Sequence, residues 1–250
     1  MRIDLYFTPG QIDELQLRDK NVVVIDVLRA GTSIATALSN GAREIIPVET
    51  VEAAVKISGG LFGDVVLLGG ERGGKIIEGF HLGNSPSEYL ENVVKGMSIV
   101  FTTTNGALAM VKGRYAKQMT IAAFVNVGRV VDFIKDVGED FVFICAGNQQ
   151  LVGGFCLEDA VCAGMIIHRL KQTGSKVLEL SDSAASALIL HRSYGRNLSK
   201  MLEDSEDGKY LSQIGFGNDL KTCAAVDSVT VLPVLRGNVI RLGHDAMHNE

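Results

Sequence analysis

Several short stretches of this chain set carboxylates, an arginine or clustered hydroxyls directly after apolar runs. Asp26-Val27-Leu28-Arg29-Ala30-Gly31-Thr32-Ser33 follows residues 22–25, and Gly69-Gly70-Glu71-Arg72-Gly73-Gly74-Lys75 follows residues 65–68. Thr102-Thr103-Thr104-Asn105-Gly106 closes residues 99–101. Cys145-Ala146-Gly147-Asn148 closes residues 141–144 and leads to Glu158-Asp159. Carboxylates are hard oxygen ligands for Mg²⁺, while arginine, hydroxyls and glycine-loop amides neutralise phosphate oxygens. Together they are the parts that metal-assisted phosphoryl transfer requires.

Each residue also has a structural reading. Asp26 could cap the helix that follows, but a carboxylate placed after four aliphatics is costly to bury without a strong partner. Glu71 stands in a glycine-rich stretch and could simply pair with Arg72. Glu158 and Asp159 suit the first turn of a helix, where acids complement the dipole, and they equally suit a metal. Thr103, Thr104 and Asn105 fit a turn into the helix 107–112, and such a turn is also an anion site. Asn84 and Ser85 precede Pro86, as a cap or as ligand contacts. Asp227 is a weaker suspect. The expected catalytic residues are Asp26, Arg29 and Asp159. The expected metal ligands are Asp26, Glu71, Glu158 and Asp159, and the expected substrate contacts are Arg72, Thr103, Thr104, Asn105, Asn84 and Ser85. His168 and His191 fall on helical positions that suit core or surface roles. His244 and His248 have the i, i+4 spacing of metal ligands but lie in a terminal tail. No histidine is assigned a catalytic part.

Two familiar motifs fail. The strand of haloacid-dehalogenase-type phosphatases carries a second aspartate two residues after the first, and Leu28 stands there. Gly69 to Lys75 fits G-x-x-x-x-G-K, but Ile76 replaces the metal-binding hydroxyl of a P-loop.

The elements that must hold these residues read as short β-branched strands alternating with helices. Strands are expected at 22–28, 44–48, 65–68, 98–102, 120–122 and 141–145, with 22–25 and 141–144 central because they have no polar face. Helices are expected at 32–40, 51–58, 126–137 and 157–172, several closing on glycine. Farther on, 181–190 begins a helix, 202–208 is an acidic loop or helix end, and 228–234 with 239–242 forms a hairpin across Arg236-Gly237-Asn238. The expected fold is α/β: a three-layer α/β/α arrangement with a mostly parallel sheet and a C-terminal β-hairpin. One domain over 1–250 is expected, with a subdivision near 175–180 as the alternative.

The chain has 250 residues, 46% hydrophobic and 21% charged, enough for a large core. Its net charge of −5 provides no positive field for a nucleic-acid backbone or an anionic membrane surface. No apolar run approaches the ~20 residues of a bilayer span. The N-terminus has no signal-peptide core. Four cysteines without a C-x-x-C pair suit reduced, buried thiols in the cytoplasm. An apolar helix over 157–170 suits either a core or a homodimer interface.

Taken in order, Val24-Ile25-Asp26-Val27-Leu28-Arg29-Ala30 with Thr32-Ser33, the Gly69–Gly74 segment, Gly79-Phe80 with Leu82-Gly83-Asn84-Ser85-Pro86, and Thr102–Gly106 form one pattern. Cys145-Ala146-Gly147 and Leu157-Glu158-Asp159-Ala160-Val161-Cys162-Ala163-Gly164 extend it. With them, the chain resembles the ComB-type 2-phosphosulfolactate phosphatase family along nearly its whole length. That resemblance implies an Mg²⁺-dependent acid phosphatase that converts (2R)-2-phospho-3-sulfolactate to sulfolactate and phosphate, a step toward coenzyme M in methanogens. It implies a small anionic substrate whose charge Arg29, Arg72 and Mg²⁺ offset. Attack by Asp26 on phosphorus and attack by water both remain open. The rival readings are a non-catalytic module that binds an anionic metabolite, and an Mg²⁺-dependent hydrolase or lyase of another small acid.

Overall fold

The computed structural model describes residues 1–10, 12–60, 65–148, 150–172, 174 and 177–243. His244 and His248 lie outside them. In chain order the first half runs β1 (Arg2–Tyr6), β2 (Asn21–Ile25), α1 (Ala30–Ser39), β3 (Glu44–Pro47), α2 (Val51–Gly60), β4 (Val66–Arg72), β5 (Lys75–Ile76), α3 (Glu91–Val94), β6 (Ser98–Thr102) and α4 (Gly106–Lys112). Then come β7 (Gln118–Ala122), α5 (Val127–Val137), β8 (Phe141–Cys145), α6 (Leu157–Gln172), β9 (Glu179–Leu180) and α7 (Asp182–Tyr194). The chain continues through α8 (Leu198–Asp204), α9 (Glu206–Gln213), α10 (Gly217–Cys223), β10 (Pro233–Arg236) and β11 (Val239–Leu242).

The strand lacking a polar face is central. All of β2 is buried, and it pairs in parallel with β7 on one side and β8 on the other. The sheet order is β5-β4-β6-β3-β11-β10-β7-β2-β8-β1-β9. Two parallel blocks, β4-β6-β3 and β7-β2-β8-β1-β9, are joined by the antiparallel β10–β11 hairpin. One core takes Val22 and Val24 of β2, Ile121 of β7, Ile45 of β3 and Phe101 of β6 together with Ile34 of α1 and Met110 of α4. The opposite face of β2, Val23 and Ile25, packs with residues of α5, α6 and α7. Val48, Val100 and Ala54 of α2 form a smaller cluster. Helices therefore cover both sides of a mostly parallel sheet, as expected.

The differences from expectation have local causes. β2 stops at Ile25, three residues early, because the carbonyl of Asp26 accepts the N–H of Gly31 at 2.9 Å and turns the chain into α1. β4 continues through Glu71 and Arg72, which the glycines had marked as loop. Gly73 and Gly74, at φ 57° and 74°, make the tight turn into β5 that a left-handed pair allows. The hairpin begins at Pro233, since the N–H of Val229 donates to the carbonyl of Val125 outside any ladder. The acidic 202–208 stretch is a break between helices, with Ser205 Oγ accepting the N–H of Gly208 at 3.1 Å. β1 and β9 were not expected. β1 alternates charged and apolar residues and pairs in parallel with β8 and β9.

All four cysteines are buried and free, as expected. Among the described residues no helix is long and apolar enough to cross a membrane.

Candidate active site

The turns after β2, β4, β6 and β8 gather in one place. Asp26 leaves β2 and its Oδ1 accepts the N–H of Ala30 at the start of α1, at 2.9 Å. Asp159, in the first turn of α6, accepts the N–H of Val27 at 2.9 Å on one oxygen and that of Gly147 at 3.1 Å on the other. It thereby ties the turn after β2 to the turn after β8. Glu71 binds the turn before α4: Oε1 accepts the N–H of Thr104 at 2.7 Å, while Oε2 accepts the Thr104 hydroxyl at 3.1 Å and the N–H of Gly74 at 2.7 Å.

Leu28, Arg29, Glu71, Gly73, Gly74, Asn84, Thr104 and Asn105 line a cleft with Asn148, Gln150, Asp207, Tyr210 and Leu211. Asp26, Glu158 and Asp159 are buried and are not part of its lining. Burial pushes the Asp26 carboxyl up to about 7 against the pull of the Ala30 N–H, and the charges of Glu71 and Asp207 push the same way as burial. Burial, then Asp207, pushes Glu158 up to about 8. Asp159 is pushed well up by burial, with Asp26 and Glu158 adding to it. Carboxyls that raise one another in this manner share a single electrostatic neighbourhood.

Arg29 is the one cationic side chain lining the cleft among the described residues, and it is buried. The donor set suits a hard cation. Glu158 and Asp207 offer ligand oxygens within 4.8 Å of each other and of the Cys156 sulfur. The Cys156 thiol is pushed far up by burial and by the neighbouring carboxylates, so it remains protonated, and it donates to Asp207 Oδ2 at 3.2 Å. The carboxylates are thus the suitable ligands. Asn84 Oδ1 is a further buried acceptor, with no hydrogen-bond partner.

A model of the family described as 2-phosphosulpholactate phosphatase matches residues 6–238. The chain belongs to the 2-phosphosulfolactate phosphatase family. It is 38% identical over 245 residues to a protein of Caldanaerobacter subterraneus subsp. tengcongensis, which covers 98% of this chain and 100% of the relative. It is 39% identical over 228 residues to one of Symbiobacterium thermophilum, covering 91% and 96%. For one of Thermotoga maritima the identity is 39% over 223 residues, covering 89% and 92%. All three relatives are named "Probable 2-phosphosulfolactate phosphatase".

In this 2-phosphosulfolactate phosphatase family member the sequence-derived residues divide into two groups. Asp26, Arg29, Glu71, Asn84, Thr104, Asn105, Glu158 and Asp159 come together. Arg72 does not line the cleft: it follows Glu71 on β4 and donates to the carbonyl of Glu49 at 3.2 Å and to Thr102 Oγ1 at 3.0 Å. Thr103 Oγ1 accepts the N–H of Ala107 at 3.1 Å, and Ser85 Oγ donates to Asp219 Oδ1 at 2.7 Å. Asp227 accepts from Gly128 and Arg169 and is absent from the cleft lining. His168 of α6 and His191 of α7 meet in a tilted contact, 5.1 Å between ring centroids. Sequence reasoning missed Asp207, Asp219 and Cys156. Only Asp207 left a signal, as one of the acids in the 202–208 stretch. A larger cavity of about 670 Å³, lined by Lys117, Phe133 and Arg236 among others, lies beside the amino end of β7 and contains none of the site residues.

Proposed function

We propose that this protein is a phosphatase of small acidic phosphate monoesters, with 2-phospho-3-sulfolactate as its substrate and Mg²⁺ as its cation. One observation carries the reading: in a member of this family, carboxylates from separate turns converge on a cleft lined by one buried guanidinium. Glu158, Asp207 and Asp26 would hold the cation, and Mg²⁺ bound there would offset phosphoryl charge. Glu71 and Asp159, whose oxygens accept backbone N–H groups, act chiefly to fix the turns around them.

Arg29 offers charge-assisted N–H donors to the phosphoryl oxygens from the wall of the cleft, and Asn84, Asn105 and Asn148 add polar contacts beside it. Asp26 is the residue on which the chemistry turns. Its carboxyl, pushed up to about 7, is ionised in an appreciable fraction near neutral pH. It then either attacks phosphorus and displaces the ester oxygen, which leaves as the alcohol on taking a proton from solvent, giving an aspartyl-phosphate that water cleaves, or accepts a proton from a water whose oxygen displaces that same alcohol.

Phosphate release from a panel of small monoesters, with Mg²⁺ and with chelator, tests the reading. Release is expected only with Mg²⁺ and fastest for substrates carrying further anionic groups. Asp26→Asn keeps the size and the acceptor for the Ala30 N–H, and is expected to lower kcat at least about 1,000-fold. Undiminished Mg²⁺-dependent turnover in that variant would overturn the assignment. Tight metal-independent binding of the esters without phosphate release would instead mark a binding module.

A further inference from the structure

Arg29 shares its cleft with Glu71 and Asp207. An arginine free to rotate there could turn to either of those carboxylates and would present no single face to a ligand. This one is held from the other side. Nη1 donates to Asp219 Oδ2 at 2.8 Å, Nη2 donates to the carbonyl of Gly74 at 2.6 Å, and the guanidinium carbon lies 4.3 Å from the ring centroid of Phe216. Arg29 is 2% exposed and Asp219 is 5% exposed, so the pair is dry and fixed. The other Asp219 oxygen accepts the hydroxyl of Ser85 at 2.7 Å. Ser85 adjoins Asn84, which lines the cleft with a buried, unpartnered Oδ1.

We propose that Asp219 is a positioning residue of this active site: one carboxylate on α10 sets the direction of the Arg29 guanidinium and anchors the Asn84–Ser85 segment against the same cleft. The proposal rests on the phosphatase reading above. Arginine carries five N–H donors in a rigid planar fork. With Asp219 and Gly74 each holding one nitrogen and Phe216 against the plane, the fork has one orientation, and the remaining donors are those a phosphoryl group meets. α10 is then part of the reaction centre although its residues touch no substrate. Displacing a clamping group by about 1 Å is enough to cost ~100-fold in rate.

The test is a double-mutant cycle on the best monoester of the panel, using Asp219→Asn, Asp219→Ala, Arg29→Ala and the doubles. Asp219→Asn is expected to lower kcat/KM by about 10- to 100-fold. In the Arg29→Ala background the same change is expected to cost several-fold less than in the parent, because the guanidinium it positions is gone and only its hold on Ser85 remains to be lost. A loss as large in that background as in the parent overturns the proposal and leaves the phosphatase reading intact. Asp219→Asn, close in size to the parent, completes the cycle should Asp219→Ala not fold. If the parent releases phosphate from no monoester, the phosphatase reading falls. The cycle is then read as the affinity for inorganic phosphate by calorimetry, where equal weakening in both backgrounds, or no binding by the parent, overturns the role of Asp219.

Discussion

Gly106 packs directly against the Asp26 carboxylate. A Cβ at this position would collide with Asp26 Oδ2 and would stand 2.9 Å from the Cβ of Ala30. The first residue of α4 must therefore be glycine for the Asp26 carboxylate to stay where it is. Gly106→Ala is expected to lower kcat by at least about 100-fold while the circular-dichroism spectrum stays that of the parent. Full turnover in this variant would mean that the position of Asp26 does not matter to the reaction. Asp26, Arg29 and Glu158 were legible in the sequence because each breaks an apolar run or begins a helix. Asp207 and Asp219 were not legible. Asp207 follows the helix-capping Ser205 and looks like any first-turn acid, and Asp219 meets Arg29 across 190 residues. Arg72 lies outside the cleft lining for a related reason. Read as loop, Glu71 and Arg72 could share a target, but neighbours on a strand face opposite ways.

Among the elements, the β10–β11 hairpin carries the connection between the two parallel blocks. Its link to β3 includes a side-chain clamp: Glu44 accepts Arg241 Nη2 at 2.6 Å and Nε at 3.0 Å on one oxygen, and Ser98 Oγ at 2.6 Å on the other. Burial alone would raise the Glu44 carboxyl, but the bonds from Ser98 and Arg241 outweigh it and hold the carboxyl below its ordinary range. A depressed folded value means that the stabilisation is present above the unfolded value and is lost as pH falls through the folded one. Arg241 is mostly exposed, so solvent screening keeps the contribution small. Arg241→Ala is expected to cost about 1 kcal/mol in urea unfolding at pH 7 and clearly less at pH 4. An equal cost at both values would show that the arginine acts through packing alone. The turn of this hairpin was readable from Gly237-Asn238. Its place in the middle of the sheet was not, because pairing partners more than 100 residues away leave no local trace. β1 escaped for a similar reason: it has only five residues, and its partner β8 lies more than 100 residues away.

At the scale of the molecule, the buried carboxyls of Asp26 and Glu158 couple stability to pH. Their folded values, about 7 and about 8, lie above the ordinary carboxylate values of 3.8 and 4.5. Between about pH 4 and pH 8 the folded protein therefore binds protons that the unfolded chain has released, and its stability falls as pH rises. Chelator-treated protein is expected to melt at a lower temperature at pH 8 than at pH 6. Added Mg²⁺ is expected to raise the melting temperature more at pH 8, where it competes with fewer protons. A melting temperature independent of pH in chelator would remove the buried charges from the account. The α/β class itself was readable because all-apolar strands between amphipathic helices admit few arrangements. The division into two blocks was hidden, since the residues of a strand do not name the distant strand it pairs with. That division also orders events in time. β3 and β7 are translated long before β10 and β11 but pair with them in the finished sheet. A chain still growing on the ribosome thus holds two open sheet edges facing a gap, exposed to other growing chains until the last strands emerge to fill it.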